Sequence, residues 1–396
     1  KKINILGNNI TRESVLRNQL EVDEGDPYNE ILLTKSINNL KSLNFFKSVN
    51  YNVRDSKISE EKIIDIVIEE KATGEIMAGA GFGTGGSSIT AGVKENNYLG
   101  KGIALNTNLT LTDDTLRGIF SLTNPNYNNT DKSVYTSIEA SEIDKLSDFG
   151  YKTNKTGINF GTKFELYDDY KLGLGMNSFY EEIEVDSSAS SLQKQQKGNY
   201  FDNFLNLELD YDRRNQKFQT TEGFRSFYGS NIPLISDSNT FTNLLTFTKY
   251  NKLFDKSIFK SSFYFKSSNS ISGDNIKLSE RITIPSKRLR GFEFGKVGPK
   301  DGTDYIGGNF VSTANFSSSL PQIFENSQTT DFSLFLDIAN VWGVDYDSTI
   351  DNKNQDIRSS IGINLDWFSA VGPLSFSWSQ PITKSSTDKT QSFRFN

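Results

Sequence analysis

The stretch FSLFLDIA, residues 332–339, alternates between two kinds of side chain. Successive side chains of a β-strand face opposite sides, so Leu334, Leu336 and Ile338 form one face and Phe335 and Asp337 the other. The same two-residue period continues from about residue 73 to the end of the chain and predicts about sixteen strands of roughly 9–13 residues each. Further examples are GIALNTNLTLT (102–112), FLNLELDYD (204–212), SIFKSSFYFKS (257–267) and GPLSFSWSQP (372–381).

The number of strands and their mid-strand charges decide between three all-β folds. A soluble sandwich would expose its polar face to water, but sixteen strands would more usually form two domains. A propeller would repeat a blade motif every ~40–50 residues, and the sequence contains no such repeat. A closed transmembrane barrel, apolar towards lipid and polar towards a water-filled lumen, accounts for strand length, strand number and aromatic content together. The sequence therefore predicts a 16-stranded antiparallel transmembrane β-barrel.

Residues 1–72 have a different pattern, which predicts a small α+β domain. KINIL forms a first strand that ends at a Gly-Asn-Asn turn, and Thr11 with Ser14 is expected to cap a helix through RESVLRNQL. A second helix is expected from about Tyr28 to Leu43, followed by the strand pair FFKSVNYNVR and KIIDIVIEEK. The predicted domains are a βααββ unit at 1–72 and the barrel at 73–396.

Composition excludes several kinds of chemistry. The chain of 396 residues contains no cysteine and no histidine, which removes disulfides, thiolate metal sites and histidine-dependent catalytic triads. Its net charge of −6 offers no basic field for nucleic acid. We expect no catalytic residues, no cofactor and no metal. The acidic stretch DYDSTIDNKNQD (345–356) lacks the glycine and glutamate of a calcium loop and is interpreted as a solvated acidic loop.

Two sets of motifs connect the chain to a known family. In the N-terminal region, ILGNNITRESVLR and LKSLNFFKSVN are typical of a POTRA domain. In the barrel region the motifs are NNYLGKG, LTNPNY, LRGFEFGKVGP, LFLDIANVWG, VGPLSFSWSQP and QSFRFN. In this order and spacing, the chain resembles the BamA family of bacterial outer-membrane β-barrel assembly factors. The TamA-like assembly barrels and the two-partner secretion transporters share this domain plan and remain the alternative.

The resemblance assigns a role to the basic stretch SKRLRGFEFGKVGPK, residues 286–300. In the family, the sixth extracellular loop folds back into the barrel, and an R-G-F tip contacts the inner wall. Here the tip is Arg290, Gly291 and Phe292, and the wall partners that the resemblance implies are Asp337 and Phe335. The chain lacks the Gly-Gly pair that usually precedes this tip. A second acidic wall residue of the family corresponds to Ser317.

The resemblance also implies a weak seam, or lateral gate, between the first and last barrel strands, at about Thr73–Thr84 and Thr390–Asn396. Glycine weakens a strand and leaves little side chain to interlock. The last strand is expected to be truncated, because the chain ends before the family's usual terminal aromatic residue. The expected gate residues are Gly74, Gly79, Gly81, Gly83, Phe393 and Phe395.

The implied function is a non-enzymatic insertase and foldase that inserts nascent β-barrel proteins into the outer membrane of Gram-negative bacteria. The POTRA domain is expected in the periplasm, as the last of several and next to the membrane. Expected partners are the lipid bilayer with its lipopolysaccharide, the lipoproteins of the assembly machine and unfolded outer-membrane clients, with no nucleic acid. The alternative is a barrel that secretes a partner polypeptide through its lumen.

Overall fold

The computed structural model describes residues 1–56, 61–217, 219–254, 257–320, 330–347, 350, 356–369 and 372–396, and for residue 129 the backbone alone. Among the helices in these ranges, none is both long and apolar enough to cross a membrane. The chain divides into two compact units. The first comprises Lys1–Ala78, Thr90–Leu109 and Ile119–Ser137, and the second Gly79–Ile89, Thr110–Gly118 and Ile138–Asn396.

The first unit contains the small α+β fold that the sequence predicts. Strand β3 lies at the centre of its three-stranded sheet, parallel to β1 and antiparallel to β2, and two helices cover one face. The core consists of apolar side chains from all five elements. The elements are β1 (Lys2–Leu6), α1 (Glu13–Arg17), α2 (Glu30–Ser42), β2 (Phe46–Asp55) and β3 (Lys62–Glu70). The core residues are Ile3, Leu16, Val22, Leu33, Ile37, Leu40, Phe45, Phe46, Val49, Ile64, Ile66 and Ile68.

The two helices begin differently. The side chain of Asn29 accepts hydrogen bonds from the N–H groups of Ile31 and Leu32, at 3.0 and 3.1 Å, and so caps α2. The prediction that Thr11 caps α1 is wrong: the N-cap position is Arg12, and its side chain makes no capping hydrogen bond. Thr11 is buried and its hydroxyl instead accepts a hydrogen bond from Nδ2 of Asn97, at 2.8 Å.

The barrel is a 16-stranded sheet whose order is β23-β21-β20-β19-β18-β14-β13-β12-β11-β10-β9-β8-β7-β6-β5-β4. Its strands are β4 (Gly74–Gly83), β5 (Gly86–Tyr98), β6 (Ile103–Thr112), β7 (Thr115–Asn124), β8 (Ser133–Lys145), β9 (Tyr151–Tyr167), β10 (Tyr170–Val185), β11 (Gly198–Asp212), β12 (Gly223–Pro233), β13 (Thr240–Phe254), β14 (Ser257–Ser270), β18 (Phe310–Ser319), β19 (Thr330–Trp342), β20 (Arg358–Ser369), β21 (Gly372–Thr383) and β23 (Phe393–Phe395).

Short elements occupy the connections between these strands. Helices α3 (Leu146–Phe149) and α4 (Ser191–Lys194) follow β8 and β10, and 3₁₀ turns occur at Tyr127–Asn129, Leu278–Glu280 and Ser286–Arg288. The short strands β15 (Gly291–Phe292), β16 (Lys300–Asp301) and β17 (Asp304–Tyr305) lie in the connection between β14 and β18, and β22 (Thr390–Gln391) precedes β23.

The barrel strands expose apolar side chains and bury polar ones, the reverse of a water-soluble sheet. On β14, Phe263 and Phe265 are exposed while Ser262 is buried, and on β20, Ile363 is exposed while Asn364 is buried. Alternate positions of each strand must face opposite sides of the wall. An apolar exterior around a polar interior is the pattern of a barrel whose outer surface meets hydrocarbon.

The end of the chain differs from the predicted single strand over Thr390–Asn396. Only Phe393–Phe395 joins the barrel sheet, where β23 pairs with β21. Residues Thr390 and Gln391 form β22 and pair instead with Phe292 and Gly291 of β15. The backbone therefore leaves the wall before the last strand begins, because its hydrogen-bonding groups are engaged by the loop inside the barrel.

Candidate functional site

Residues 271–309, which connect β14 to β18, form a long loop that we call the inward loop. Its apolar residues pack against wall residues that lie on the lumen face of β18 and β19, on the same face as Asp337. A loop held by this many buried apolar contacts has a defined position. The cluster contains Ile282, Ile284, Leu289, Phe292 and Val297 from the loop, and Val311, Ala339 and Val341 from the wall.

The structure places Arg290 of the inward loop against Asp337 of β19. Nε and Nη2 of Arg290 donate to Oδ2 and Oδ1 of Asp337, both at 2.8 Å, and the backbone N–H of Arg290 donates to Oδ2 at 3.0 Å. Asp337 is fully buried. Two parallel charge-assisted bonds fix the orientation of the guanidinium as well as its distance.

Two further residues complete this contact. Nδ2 of Asn315 on β18 donates to Oδ1 of Asp337 at 2.9 Å and to the carbonyl oxygen of Arg288 at 2.7 Å. The guanidinium of Arg290 also lies over the ring of Phe335, with its central carbon 3.4 Å from the ring centroid. Asp337 thus accepts four hydrogen bonds, and Arg290 has an aromatic face beside it, so neither charge is buried without partners.

Gly291 has a backbone conformation and a position that favour glycine. Its φ of +89° lies in the left-handed region, and a Cβ placed there would lie 3.1 Å from Cβ of Ser360 and 3.4 Å from Cβ of Ser379. The hydroxyl of Ser360 donates to the carbonyl oxygen of Arg290. The next residue, Phe292, is completely buried. Residues 290–292, which we call the finger, therefore contact strands β19, β20 and β21 of the inner wall.

Asp388, in the connection between β21 and β22, holds the same loop from another side. Arg358 of β20 forms a buried ion pair with it, with Nε–Oδ2 at 2.9 Å and Nη2–Oδ1 at 3.2 Å. The backbone N–H of Gly298, in the inward loop, donates to Oδ1 of Asp388 at 3.2 Å. This carboxylate therefore joins a wall strand, the inward loop and the segment that leads into the last strand.

A buried charge cluster fixes the beginning of the inward loop. Nζ of Lys277 lies 2.9 Å from Oε2 of Glu181, 2.5 Å from Oδ2 of Asp202 and 3.6 Å from Oε1 of Glu280. Burial by itself lowers the pKa of Lys277, but the three carboxylates together raise it above its ordinary value. The pKa of Glu280 is raised, mainly by burial, against the opposing effect of Lys277.

At the seam, the last strand meets the end of the first. The N–H of Thr84 donates to the carbonyl oxygen of Phe395 at 2.8 Å, and the N–H of Phe395 donates to Oγ1 of Thr84 at 3.3 Å. Of the four glycines predicted at the gate, Gly83 is the one whose added Cβ would meet the last strand, 2.6 Å from the carbonyl oxygen of Phe395. Every residue of β4 before Gly83 is exposed.

The other predicted gate residues have different neighbours. A Cβ at Gly74 would approach Glu95, one at Gly81 would approach Ser88, and one at Gly79 would meet nothing within 4 Å. Phe393 and Phe395 pack on β21, against Trp378 and Phe376, with ring centroids 5.4 and 5.1 Å apart. The structure thus gathers Gly83, Phe393 and Phe395 at the last strand and does not bring Gly74, Gly79 or Gly81 against it.

Sequence reasoning missed Asn315, Arg358, Asp388 and Arg394. Asn315 and Arg394 lie at lumen-facing positions of strands whose alternation is clear, so a search for polar residues on that face finds them. The family pattern had directed attention to Ser317 instead, two residues from Asn315 on the same face. The partnership of Arg358 and Asp388 joins separate elements and leaves no local signal in the sequence.

Two further ion pairs involve carboxylates of β11. Asp210 pairs with Arg225, and Asp212 pairs with Arg214, across or along the wall. Within the ranges that the structure describes, no group of three or more acidic residues is arranged to hold a metal ion. In the acidic stretch 345–356, residues 348, 349 and 351–355 lie outside the described residues.

Two family models match the chain. The model of the Omp85 superfamily domain covers residues 97–396, and the POTRA model, described as a surface antigen variable number repeat, covers residues 1–71. The chain is 22% identical over 404 residues to outer membrane protein assembly factor BamA of Nitratidesulfovibrio vulgaris, covering 100% of this chain and 50% of the relative. It is 23% identical over 456 residues to BamA of Neisseria meningitidis, covering 100% of this chain and 55% of that relative.

Solved structures show the same fold. BamA from Haemophilus ducreyi lacking POTRA domains 1–3 superimposes with a TM-score of 0.92 at 23% identity, over 100% of this chain and 83% of that one. CdiB from Acinetobacter baumannii gives a TM-score of 0.61 at 14% identity, over 100% of this chain and 73% of that one. The chain spans about half the length of the curated relatives it matches. With an Omp85 match over most of its length, a POTRA match before it and BamA-like relatives along the whole chain, this protein belongs to the Omp85 superfamily.

Proposed function

We propose that this chain forms the membrane-embedded part of an outer-membrane protein insertase, which folds and inserts nascent β-barrel proteins through the seam between β4 and β23. The observation that carries the proposal is the seam itself. The last strand contributes only Phe393–Phe395 to the sheet, and it lies beside a first strand that is exposed along nearly its whole length. The names of the BamA relatives support the same activity.

The physical task of such a protein is to protect an unpaired strand edge. In hydrocarbon, each unsatisfied backbone N–H or C=O group costs several kcal/mol. A client strand avoids that cost if it pairs with the edge of β4 as β23 separates from it, which is β-augmentation of an existing sheet. This step needs no covalent chemistry. Residues 290–292 and their wall partners would keep the inward loop docked while the seam changes.

The proposal also places the chain in the cell. Residues 1–72 form the POTRA domain next to the membrane, in the periplasm, and residues 73–396 form the barrel in the outer membrane. Its partners are then the outer-membrane lipids, including lipopolysaccharide, the lipoproteins of an assembly machine, and unfolded clients. The edge strands of the POTRA sheet are β1, where Glu24 and Arg17 bond the backbone of Ile3, and β2. Strand edges can accept extended segments of other chains.

Secretion of a polypeptide through the lumen is the second candidate, because two-partner secretion transporters share this plan of a POTRA domain before a barrel. The two functions make different demands on the interior. A secretion pore needs an open lumen, whereas here the inward loop is pinned to the inner wall by the buried contact between Arg290 and Asp337. Conductance distinguishes them, because a wide and steady pore in planar bilayers would favour secretion.

The test adds an unfolded client barrel to liposomes that contain this chain. The readout is the amount of client that becomes resistant to protease. The chain has no cysteine, so Thr84→Cys with Phe395→Cys introduces one thiol pair across the seam. We expect the oxidised pair to stop client folding and reduction to restore it. The control pair, Ala314→Cys with Ile338→Cys, joins register partners within the wall and should remain active when oxidised. Full activity of the locked seam would contradict the proposal.

A further inference from the structure

Arg394 lies in the middle of the three-residue strand β23 and reaches into the barrel. Its Nη1 donates to the carbonyl oxygen of Ser286 and its Nη2 to the carbonyl oxygen of Phe292, both at 2.6 Å. Arg394 is buried. Ser286 precedes the finger and Phe292 is its last residue, so a single side chain of the last strand binds the inward loop at both points.

The outer side of β23 is held in a different way. Phe393 packs on Trp378 and Phe395 on Phe376, and the cross-strand partner of Arg394 is Ser377. These aromatic pairs face away from the lumen, because Arg394 occupies the alternate position. Backbone hydrogen bonds to β21 also hold this end of the chain, between Asn396 and Ser375 and from the N–H of Ser379 to the carbonyl oxygen of Ser392. Arg394 adds the side-chain connection that joins β23 to the inward loop.

The segment before β23 strengthens the same connection. Gln391 and Thr390 pair with Gly291 and Phe292 in a short antiparallel ladder, and the N–H of Glu293 donates to the carbonyl oxygen of Lys389 at 3.0 Å. The finger is therefore bound on one side to the wall, through Asp337, and on the other side to the final segment of the chain. Movement of either partner disturbs the other.

We propose that Arg394 is a positioning residue that couples the finger to the last strand, so that release of the finger and opening of the seam are one linked event. Detaching β23 with the finger still docked would leave the buried guanidinium of Arg394 without its acceptors, and the carbonyl oxygens of Ser286 and of the fully buried Phe292 without their donor. Coupling of this kind is reciprocal: loosening the finger must loosen β23, and the reverse. The interpretation of this coupling as part of a gate rests on the proposed insertase function.

Hydrogen–deuterium exchange of the full chain in liposomes tests the coupling without any client. Arg394→Met keeps the length of the side chain and removes its donors, and Arg394→Lys retains the charge but offers one ammonium in place of the two-armed guanidinium. We expect exchange in residues 290–293 and 390–396 to rise together, about tenfold in Arg394→Met and less in Arg394→Lys. The control is Arg225→Met, which removes a wall arginine that pairs with Asp210.

The reciprocal measurement starts from the other end of the connection. Asp337→Asn frees the finger from the wall without touching β23, and we expect it to raise exchange in residues 390–396 as well. Unchanged exchange there in Asp337→Asn or Arg394→Met would overturn the coupling. So would a rise spread evenly over all barrel strands, as general destabilisation produces. If wild type folds no client while the exchange remains coupled, the proposed function fails and the link between finger and strand stands.

Discussion

Inside the barrel, Arg290 of the inward loop is joined to Asp337 of β19 by two hydrogen bonds, Nε to Oδ2 and Nη2 to Oδ1, each 2.8 Å long. The carboxylate is fully buried, and the arginine comes from the inward loop, which the apolar cluster and Asp388 also hold against the wall. Burying a charged pair of this geometry costs free energy. Removing one partner costs far more, because the other charge then stays buried without compensation. We therefore expect the pair to act as an anchor that is either docked or released.

The first prediction concerns the buried carboxylate. Asp337→Asn leaves the guanidinium of Arg290, whose side chain is 17% exposed, with a neutral partner. We expect the docked state of the inward loop to lose about 3–5 kcal/mol. Limited proteolysis of the loop in liposomes measures the change. The matched control is Asp210→Asn, whose partner Arg225 is nearly half exposed, and which should cost about 0–1 kcal/mol. Equal protease sensitivity of the two variants would refute the anchor.

The second prediction separates backbone strain from crowding in the inward loop. Gly291→Ala places a Cβ in the left-handed region and 3.1 Å from Cβ of Ser360. Gly302→Ala has the same kind of backbone, with φ of +61°, but its Cβ would meet nothing within 4 Å. We expect about 1–3 kcal/mol for Gly291→Ala and about 1 kcal/mol for Gly302→Ala, as loss of loop protection from exchange. Equal losses of protection in the two variants would mean that the close approach of Gly291 to the wall contributes nothing to the cost of the added methyl group.

The third prediction concerns the first unit. Asn97 donates to Oγ1 of Thr11 and accepts from the N–H of Gly102, both at 2.8 Å. Asn97→Ala leaves the buried N–H of Gly102 without its acceptor and removes the donor to the Thr11 hydroxyl. We expect a cost of about 1–3 kcal/mol, measured as faster exchange at residues 10–12 and 100–102. Asn96→Ala, the control, removes one long hydrogen bond of 3.4 Å to Thr73. An effect of Asn96→Ala as large as that of Asn97→Ala would contradict the interpretation.

The fourth prediction is a pH dependence at the beginning of the inward loop. Burial raises the pKa of Glu280 above its ordinary value of 4.5 in the folded state. A raised folded-state pKa gives stability that is fully present below pH 4.5 and is lost as the pH rises through the folded pKa. Loop protection should therefore be greater at acidic pH than at a pH above the raised pKa, because burial disfavours the charged form of Glu280.

Glu280→Gln tests this assignment, because the amide cannot titrate. Exchange of residues 276–284 in this variant should depend less on pH than in wild type. Glu293→Gln makes the same change on a carboxyl of the same loop outside the cluster, and should keep the wild-type dependence. If Glu280→Gln retains the full wild-type dependence, the titrating group lies elsewhere.

Much of the fold follows from local pattern. The two-residue period predicted the sixteen strands and placed Phe335 and Asp337 on the same face, and the structure buries both on the lumen side. The order strand, helix, helix, strand, strand in residues 1–72 was also predicted and is confirmed. Such patterns can be interpreted because successive residues of each wall strand face opposite environments, so every second residue meets the same one.

Local pattern failed where a side chain had a distant partner. The sequence predicted that Thr11 caps α1, but its hydroxyl accepts from Asn97, and Thr390 and Gln391 left the predicted last strand to pair with the finger. In each case a polar group had two possible partners. One was local, in a helix cap or a wall strand, and the other was a distant residue that only folding brings close. Nothing near Thr11 or Gln391 in the sequence reveals that competitor.

The sequence by itself determined the barrel, the small domain before it and the face on which each wall residue lies, because alternation of polar and apolar residues is a local response to lipid and water. Only the tertiary structure decided which buried charges meet. Arg290 with Asp337, Arg358 with Asp388, and Arg394 with the carbonyl oxygens of Ser286 and Phe292 are pairings between separate elements. Their geometry depends on how the inward loop packs inside the barrel wall, and a local stretch of sequence does not contain that information.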